Sequence, residues 1–342
     1  MTLELSLWGL IIVFAMSAAA VVGAGIVLAI RGDAIASRSG LGGLFIGMLL
    51  MAAATSLPEI ITDAAAAAAG SPDLAVGDLF GSSMANMAIL ALIDLVYGRR
   101  VWPAIGLAHA RVAAVAIGLT TLVLLAILTP GLPRLGWIGV ESIALVVAYI
   151  VAAAWVHRAP DTREPHPPDE LINPVGIHRG LSGSLRGDIV AFIGAAVVIL
   201  AAAPFVALSA QGIATETGVA ESFIGVTLLA VATSLPELVA SISAVRIGAH
   251  DLAVGNLFGS NAFNMTIVVF VDAAYLPGPV LGAVSMAQLI PGVGAILLMA
   301  IALGAIVQGA GTRLRRGEPD AVLLLLAYVG LVALTWVGSG HP

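Results

Sequence analysis

Apolar residues in this chain run in long blocks from one end to the other, interrupted by short breaks that are polar or contain glycine and proline. An α-helix rises 1.5 Å per residue, so a block of about 20 residues crosses a hydrocarbon core of about 30 Å. Ten such spans are predicted, near 6–30, 42–69, 74–97, 110–129, 135–156, 188–210, 222–245, 252–275, 285–308 and 319–338. Continuous Ala, Val, Ile and Leu runs such as 189–204 lack the alternation of a transmembrane β-strand, which removes a barrel. The expected fold class is an all-α polytopic membrane protein with ten transmembrane helices.

Composition agrees and narrows the chemistry. Of 342 residues, 60% are hydrophobic and 10% charged, and the mean hydropathy is +1.08; a soluble domain carries about 25% charged residues. There is no cysteine, and all fourteen basic residues are arginine. Disulfides, thiolate chemistry, Schiff-base lysines and lysine-bearing phosphate loops are excluded. A formal charge of −6 and a pI near 5.4 leave no basic surface for nucleic acid. The lipid bilayer is the one evident partner; no cofactor and no obligate protein partner is indicated.

The first span follows Glu4 and precedes Arg31 and Arg38, the wrong polarity for a cleaved signal peptide. It is expected to be a retained helix with its N-terminus outside. Threading the chain from there puts thirteen arginines on the cytoplasmic side and only Arg134 outside, a strong positive-inside bias. This predicts a multi-pass protein of the cell (plasma or inner) membrane with both termini outside. The polar segment 157–187 carries Pro160, Pro165, Pro167 and Pro168 with mixed charges and reads as a cytoplasmic linker. The expected organisation is a first five-helix half over 1–157, a linker over 158–187 and a second five-helix half over 188–342.

An internal repeat changes the picture most. Residues 45–90 align without a gap on 223–268 at a constant offset of 178, with 25 identities in 46 positions. The match extends to Asp94 with Asp272 and Tyr97 with Tyr275. Each copy, α-repeat 1 (45–90) and α-repeat 2 (223–268), reads as a helical hairpin. The copies stand five spans apart, so one enters the membrane in the opposite sense to the other. Inverted-topology repeats of this kind build secondary transporters, with the binding site near the midplane.

Within the first copy Thr55, Ser56 and Glu59 fall within about one helical turn, and Thr55 and Glu59 share a face. Pro58 has no amide proton for the carbonyl of Ala54, so a kink and freed backbone oxygens are expected. On the partner helix Asp78, Ser82 and Asn86 form a stripe interleaved with Gly77 and Gly81. The second copy repeats this as Thr233, Ser234, Pro236 and Glu237, facing Asn256, Ser260 and Asn264. The convergent groups are carboxylates, carboxamides, hydroxyls and carbonyls, an all-oxygen shell suited to hard cations such as Ca²⁺ and Na⁺. Interhelical hydrogen bonding alone explains the hydroxyls, but not two midplane glutamates that each cost about 2.5–3.5 kcal/mol to insert.

At these residues the sequence resembles the sodium/calcium exchanger family of the calcium/cation antiporter superfamily, prokaryotic type. Its repeats read like G-T-S-x-P-E and G-N-x-x-G-S-N-x-x-N/D; here they stand as A-T-S-L-P-E with G-D-L-F-G-S-S-M-A-N, and A-T-S-L-P-E with G-N-L-F-G-S-N-A-F-N. The G-N-A-x-E-H-type motifs of the proton-coupled branch are absent. The resemblance implies alternating-access antiport of Na⁺ against Ca²⁺, the two being transported ions rather than cofactors, and no enzymatic activity. It implies ligands at Thr55, Ser56, Glu59, Ser82, Asn86, Thr233, Ser234, Glu237, Ser260 and Asn264, joined by the carbonyls of Ala52 and Ala230. Asn264 stands where many prokaryotic and potassium-dependent members carry an acid. Asp78 replaces the usual Asn, and Asp63 corresponds to Ser241 of the other copy, so Asp63 and Asp78 are expected either to line an external entrance or to hydrogen-bond within the bundle. The alternatives are a Ca²⁺/H⁺ or other divalent-cation antiporter, a passive channel and, from another class, an intramembrane hydrolase.

Other polar residues have simpler expectations. Asp73 and Asp251 start helices and are expected as N-caps. The six histidines show no metal-ligand spacing. Trp102 and Trp137, near span ends, read as interface anchors.

Overall fold

A computed structural model describes residues 5–101, 108–158, 184–216, 233–309 and 319–338. Eleven helices account for nearly all of them. They are α1 (Leu7–Ser39), α2 (Gly43–Thr55), α3 (Leu57–Ala68), α4 (Pro72–Val101), α5 (Ala108–Leu128), α6 (Val140–Arg158), α7 (Leu185–Glu216), α8 (Leu235–Arg246), α9 (His250–Ala274), α10 (Leu289–Gly309) and α11 (Pro319–Gly338). Among the described residues seven helices are long and apolar enough to span a membrane, and α2 with α3 forms an eighth, bent span. The predicted span 222–245 falls partly outside the described residues, and its described part is α8. The tenth appears as α11, with a shorter apolar stretch over Asp320–Thr335.

Several boundaries differ from the expected ones. Helix α1 has 33 residues and reaches Ser39 rather than residue 30, because Gly40, at φ 72°, is the first residue to leave the helix. The span predicted from 135 becomes helical only at Val140. Before it, Pro133 and Gly136 (φ 67°) turn the chain, and Arg134–Leu135 pairs antiparallel with Ile138–Gly139.

Burial ranks the helices. About four-fifths of the apolar stretches of α9 and α4 is buried, 83% and 78%, against 22% for α1. The second helices of the two repeat hairpins are thus the centre of the bundle. The outer helices turn Trp8, Met16, Ile150, Val190 and Leu326 outward, as lipid-facing surfaces require.

Close packing at the centre depends on glycine. A Cβ on Gly47 would lie 2.6 Å from the carbonyl oxygen of Leu252, and one on Gly255 would lie 2.7 Å from that of Leu44. Helices α2 and α9, one from each repeat, therefore meet backbone to backbone. Within α2, residues Gly47–Met51 widen into a π-turn, and the carbonyl of Met48 accepts a hydrogen bond from Tyr149 Oη at 3.3 Å.

The two hairpins share their local chemistry. At Ser56 (φ −89°, ψ 10°) and at Ser234 (φ −81°, ψ 4°) the chain leaves helical geometry, with proline in the first turn that follows. The break between α2 and α3 bends the axis by 46°, as the missing amide of Pro58 predicts. Both hairpins end in the same cap. Gly70 and Gly248 each have φ 81°. Ser71 N donates to Ala66 O, and Ala249 N to Ala244 O, closing a Schellman turn in each copy.

Ion pairs and caps fasten the periphery. Asp188, 1% exposed, holds Arg31 at 3.0 Å and Arg38 at 3.2 Å, tying α7 to α1. Asp272 accepts from Gly139 N (2.7 Å), Ser142 Oγ (2.7 Å) and Val280 N (2.6 Å), which pins the end of α9 to the start of α6. Neither Asp73 nor Asp251 caps its own helix as expected. Asp73 Oδ1 instead accepts from Ser285 N at 2.7 Å, and Asp251 Oδ1 lies 3.3 Å from His109 Nε2. Trp137 is 45% exposed and donates from Nε1 to Ala273 O; Trp102 lies outside the described residues.

Candidate cation site

The breaks at Ser56 and Ser234 put three side chains per repeat near the junction of the hairpins. Thr55, Ser56 and Glu59 come from the α2–α3 break, and Thr233, Ser234 and Glu237 from the start of α8. From α4 and α9 come Ser82, Asn86, Ser260 and Asn264. All ten are at most 2% exposed. Ala52 is also fully buried, whereas Ala230 lies outside the described residues.

Hydrogen bonds cross between the repeats. Ser56 Oγ donates to Glu237 Oε1 at 3.1 Å. The single hydroxyl proton of Thr55 has a choice between Met51 O at 3.0 Å on its own helix and Asn256 Oδ1 at 3.3 Å across the junction. Ser260 Oγ stands 3.5 Å from Thr55 Oγ1. Asn86 Nδ2 donates to Asn261 Oδ1 at 2.9 Å, and Asn261 Nδ2 donates to Ser83 O at 3.2 Å. Glu59 and Glu237 are close enough for their charges to repel.

Many of the remaining atoms have no partner. Glu59 Oε2, Glu237 Oε2, Ser82 Oγ, Ser234 Oγ, Asn86 Oδ1 and both amide atoms of Asn264 are buried without a hydrogen bond. A buried, unsatisfied polar group costs about 1–3 kcal/mol, and folded proteins keep few of them. Six oxygens are left in this condition, one from each glutamate and four from Ser82, Ser234, Asn86 and Asn264. Among the described residues no three His, Cys, Asp or Glu side chains gather as a resident metal centre would require. Four of the six unpartnered oxygens belong to hydroxyls and carboxamides.

Asp63 and Asp78 do not form an open vestibule. They are 1% and 6% exposed, and their carboxyl groups lie within hydrogen-bonding reach of each other inside the first hairpin. In this conformation both side chains are buried, against the expectation that they line an open entrance. Asn256 and Asn261 were not among the expected ligands, yet they hold Thr55 and Asn86 in place, and Asn261 is itself held by the backbone carbonyl of Ser83. A signal for Asn261 exists, since it and its repeat partner Ser83 are both polar.

An all-helical bundle with polar groups buried at its centre and apolar side chains on its rim defines the class, a multi-pass membrane transporter. The sodium/calcium exchanger protein family matches residues 9–157 and 188–337, and the chain belongs to that family. It is a transporter family, and the protein is not an enzyme. The chain is 29% identical over 307 residues to the putative antiporter CaxA of Alkalimonas amylolytica, covering 87% of this chain and 89% of that one. It is 33% identical over 245 residues to the inner membrane protein YrbG of Escherichia coli K12, covering 69% and 71%. The solved structure of the sodium-calcium exchanger NCX_Mj soaked with 2.5 mM Na⁺ and 0.1 mM Sr²⁺ has the same fold. The TM-score is 0.70 at 20% identity, over 96% of this chain and 99% of that one.

Proposed function

We propose that this protein is a secondary active antiporter that exchanges Na⁺ for Ca²⁺ by alternating access and expels Ca²⁺. The observation that carries the reading is the cluster of buried oxygens around Glu59 and Glu237, left without hydrogen-bond donors where the repeats meet. Two carboxylates balance one Ca²⁺ or two Na⁺, and hydroxyl and carboxamide oxygens complete a hard-cation shell. Glu59 and Glu237 are each 1% exposed, so an ion between them reaches neither side without a rearrangement. With the site empty, two like charges face one another in a low dielectric, which disfavours crossing unloaded and couples the two ions.

In this reading the ligands are Thr55, Ser56, Glu59, Ser82, Asn86, Thr233, Ser234, Glu237, Ser260 and Asn264, with the carbonyls of Ala52 and Ala230. The halves 1–157 and 188–342 rock against each other, 158–187 is the cytoplasmic linker, and the arginine distribution sets both termini outside. Proteoliposomes preloaded with Na⁺ should take up ⁴⁵Ca²⁺ only while a Na⁺ gradient persists. Uptake driven by a pH gradient and blind to Na⁺ would replace this reading with Ca²⁺/H⁺ exchange.

A further inference from the structure

The repeat supplies an internal comparison for Asp63 and Asp78. Their partners at the offset of 178 are Ser241 and Asn256, which fasten the second hairpin by a hydrogen bond from Asn256 Nδ2 to Ser241 Oγ at 3.0 Å. That clasp is neutral and self-contained. In the first hairpin the same two positions carry carboxyl groups in mutual reach, and an ionised carboxylate has no proton to donate. Both oxygens of Asp63 and Oδ2 of Asp78 are buried with no N–H or O–H donor supplied by the fold. Among the described residues no arginine or histidine pairs with either side chain.

A separate side chain points to the missing component. Ser82, one turn beyond Asp78 on the same face of α4, is 1% exposed and its hydroxyl has no partner. A single proton between the carboxyls would satisfy two of these four oxygens. A hard cation, which takes six or more oxygens, engages all four. We infer that Asp63 and Asp78 form a second hard-cation site within the first hairpin, adjoining the Glu59–Glu237 centre through Ser82, whose hydroxyl the two sites share, and absent from the second hairpin. It holds Na⁺ or Ca²⁺ and replaces with an ion the hydrogen bond that Ser241 and Asn256 make. Both aspartates lie near enough to Glu59 for their charges to act on it, so occupancy of this site bears on binding at the centre.

The inference rests on the hard-cation reading of that centre, and the experiment separates the two. Equilibrium binding of ²²Na⁺ and ⁴⁵Ca²⁺ is counted per chain for the purified full-length protein, the double variant Asp63→Ser/Asp78→Asn, and the double variant Glu59→Gln/Glu237→Gln. The first variant copies the clasp that the other hairpin already carries in the same backbone setting. It should bind one cation fewer than the parent, the isotope lost naming the ion, and should keep Ca²⁺ at the centre. The glutamine variant should still bind one cation. An unchanged count of both isotopes in the serine–asparagine variant, or no bound cation in the glutamine variant, overturns the second site. A glutamine variant that binds as many cations as the parent overturns the central reading instead. Should the serine–asparagine variant fail to fold, the count in the glutamine variant decides alone.

Discussion

The hydroxyl of Ser56, at the helix break of the first repeat, donates to Glu237 of the second at 3.1 Å. It ties the helix break of one repeat to the glutamate of the other, and it leaves Glu237 Oε2 unpaired. Replacing Ser56 with Ala removes a donor from a buried carboxylate without adding bulk. Hydrogen bonds to charged groups are worth about 1.5–3 kcal/mol. In ⁴⁵Ca²⁺ flux measurements Ser56→Ala should weaken apparent Ca²⁺ affinity by about tenfold or more while the protein stays monodisperse. Unchanged affinity would remove Ser56 from the site.

Glu59→Gln and Glu237→Gln keep size and remove charge. Each should abolish Na⁺-driven Ca²⁺ uptake. Neither should destabilise the ion-free protein, because the charge removed is buried and uncompensated. The sharper test is thermal unfolding in detergent. Ca²⁺ at 100 times its Kd stabilises the parent by about 2.7 kcal/mol by linkage, and both variants should lose that increment. A Ca²⁺-dependent shift that survives in either variant would show that the glutamate is not a ligand.

The backbone contact between α2 and α9 gives a packing prediction. Gly255→Ala places a methyl group 2.7 Å from the Leu44 carbonyl oxygen, where no flexible side chain can yield. Overpacking of this kind costs about 1–3 kcal/mol, and the melting temperature should fall measurably. Gly194→Ala on α7 has nothing within 4 Å of the added carbon and should be neutral or slightly stabilising. Equal behaviour of the two variants would argue against the close crossing.

Much of this was legible in the chain because the determinants are local. The helix break at Ser56 follows from the absent amide of Pro58, and the turns at Gly70 and Gly248 from their positive φ, so both appear in the sequence as a repeated T-S-L-P-E and a repeated glycine. That Thr55 and Ser56 reach the second repeat, at Asn256 and Glu237, follows from the repeat itself. Pairings between distant segments were not legible. Nothing local tells that Asp73 will cap the Ser285 turn, or that Asn261 will hold Asn86. Whether Asp63 and Asp78 are open to the outside or enclosed is not legible for a related reason: the sequence shows depth along a helix, and closure around a side chain depends on tertiary packing.

Asn264 allows the electrostatics of the site to be tested by addition. Its side chain is fully buried and both ends of its amide are unpartnered, so Asn264→Asp changes charge with almost no change in shape and breaks no hydrogen bond. A third carboxylate near a bound divalent ion at an effective dielectric of about 20 gains several kcal/mol of attraction before desolvation is charged against it. Ca²⁺ should therefore bind more than tenfold tighter in equilibrium measurements. The same charge holds the ion more strongly in the closed state and must be released at each turn, so the maximal exchange rate should fall as affinity rises. Loss of affinity together with rate would mean that the Asn264 amide faces away from the ion.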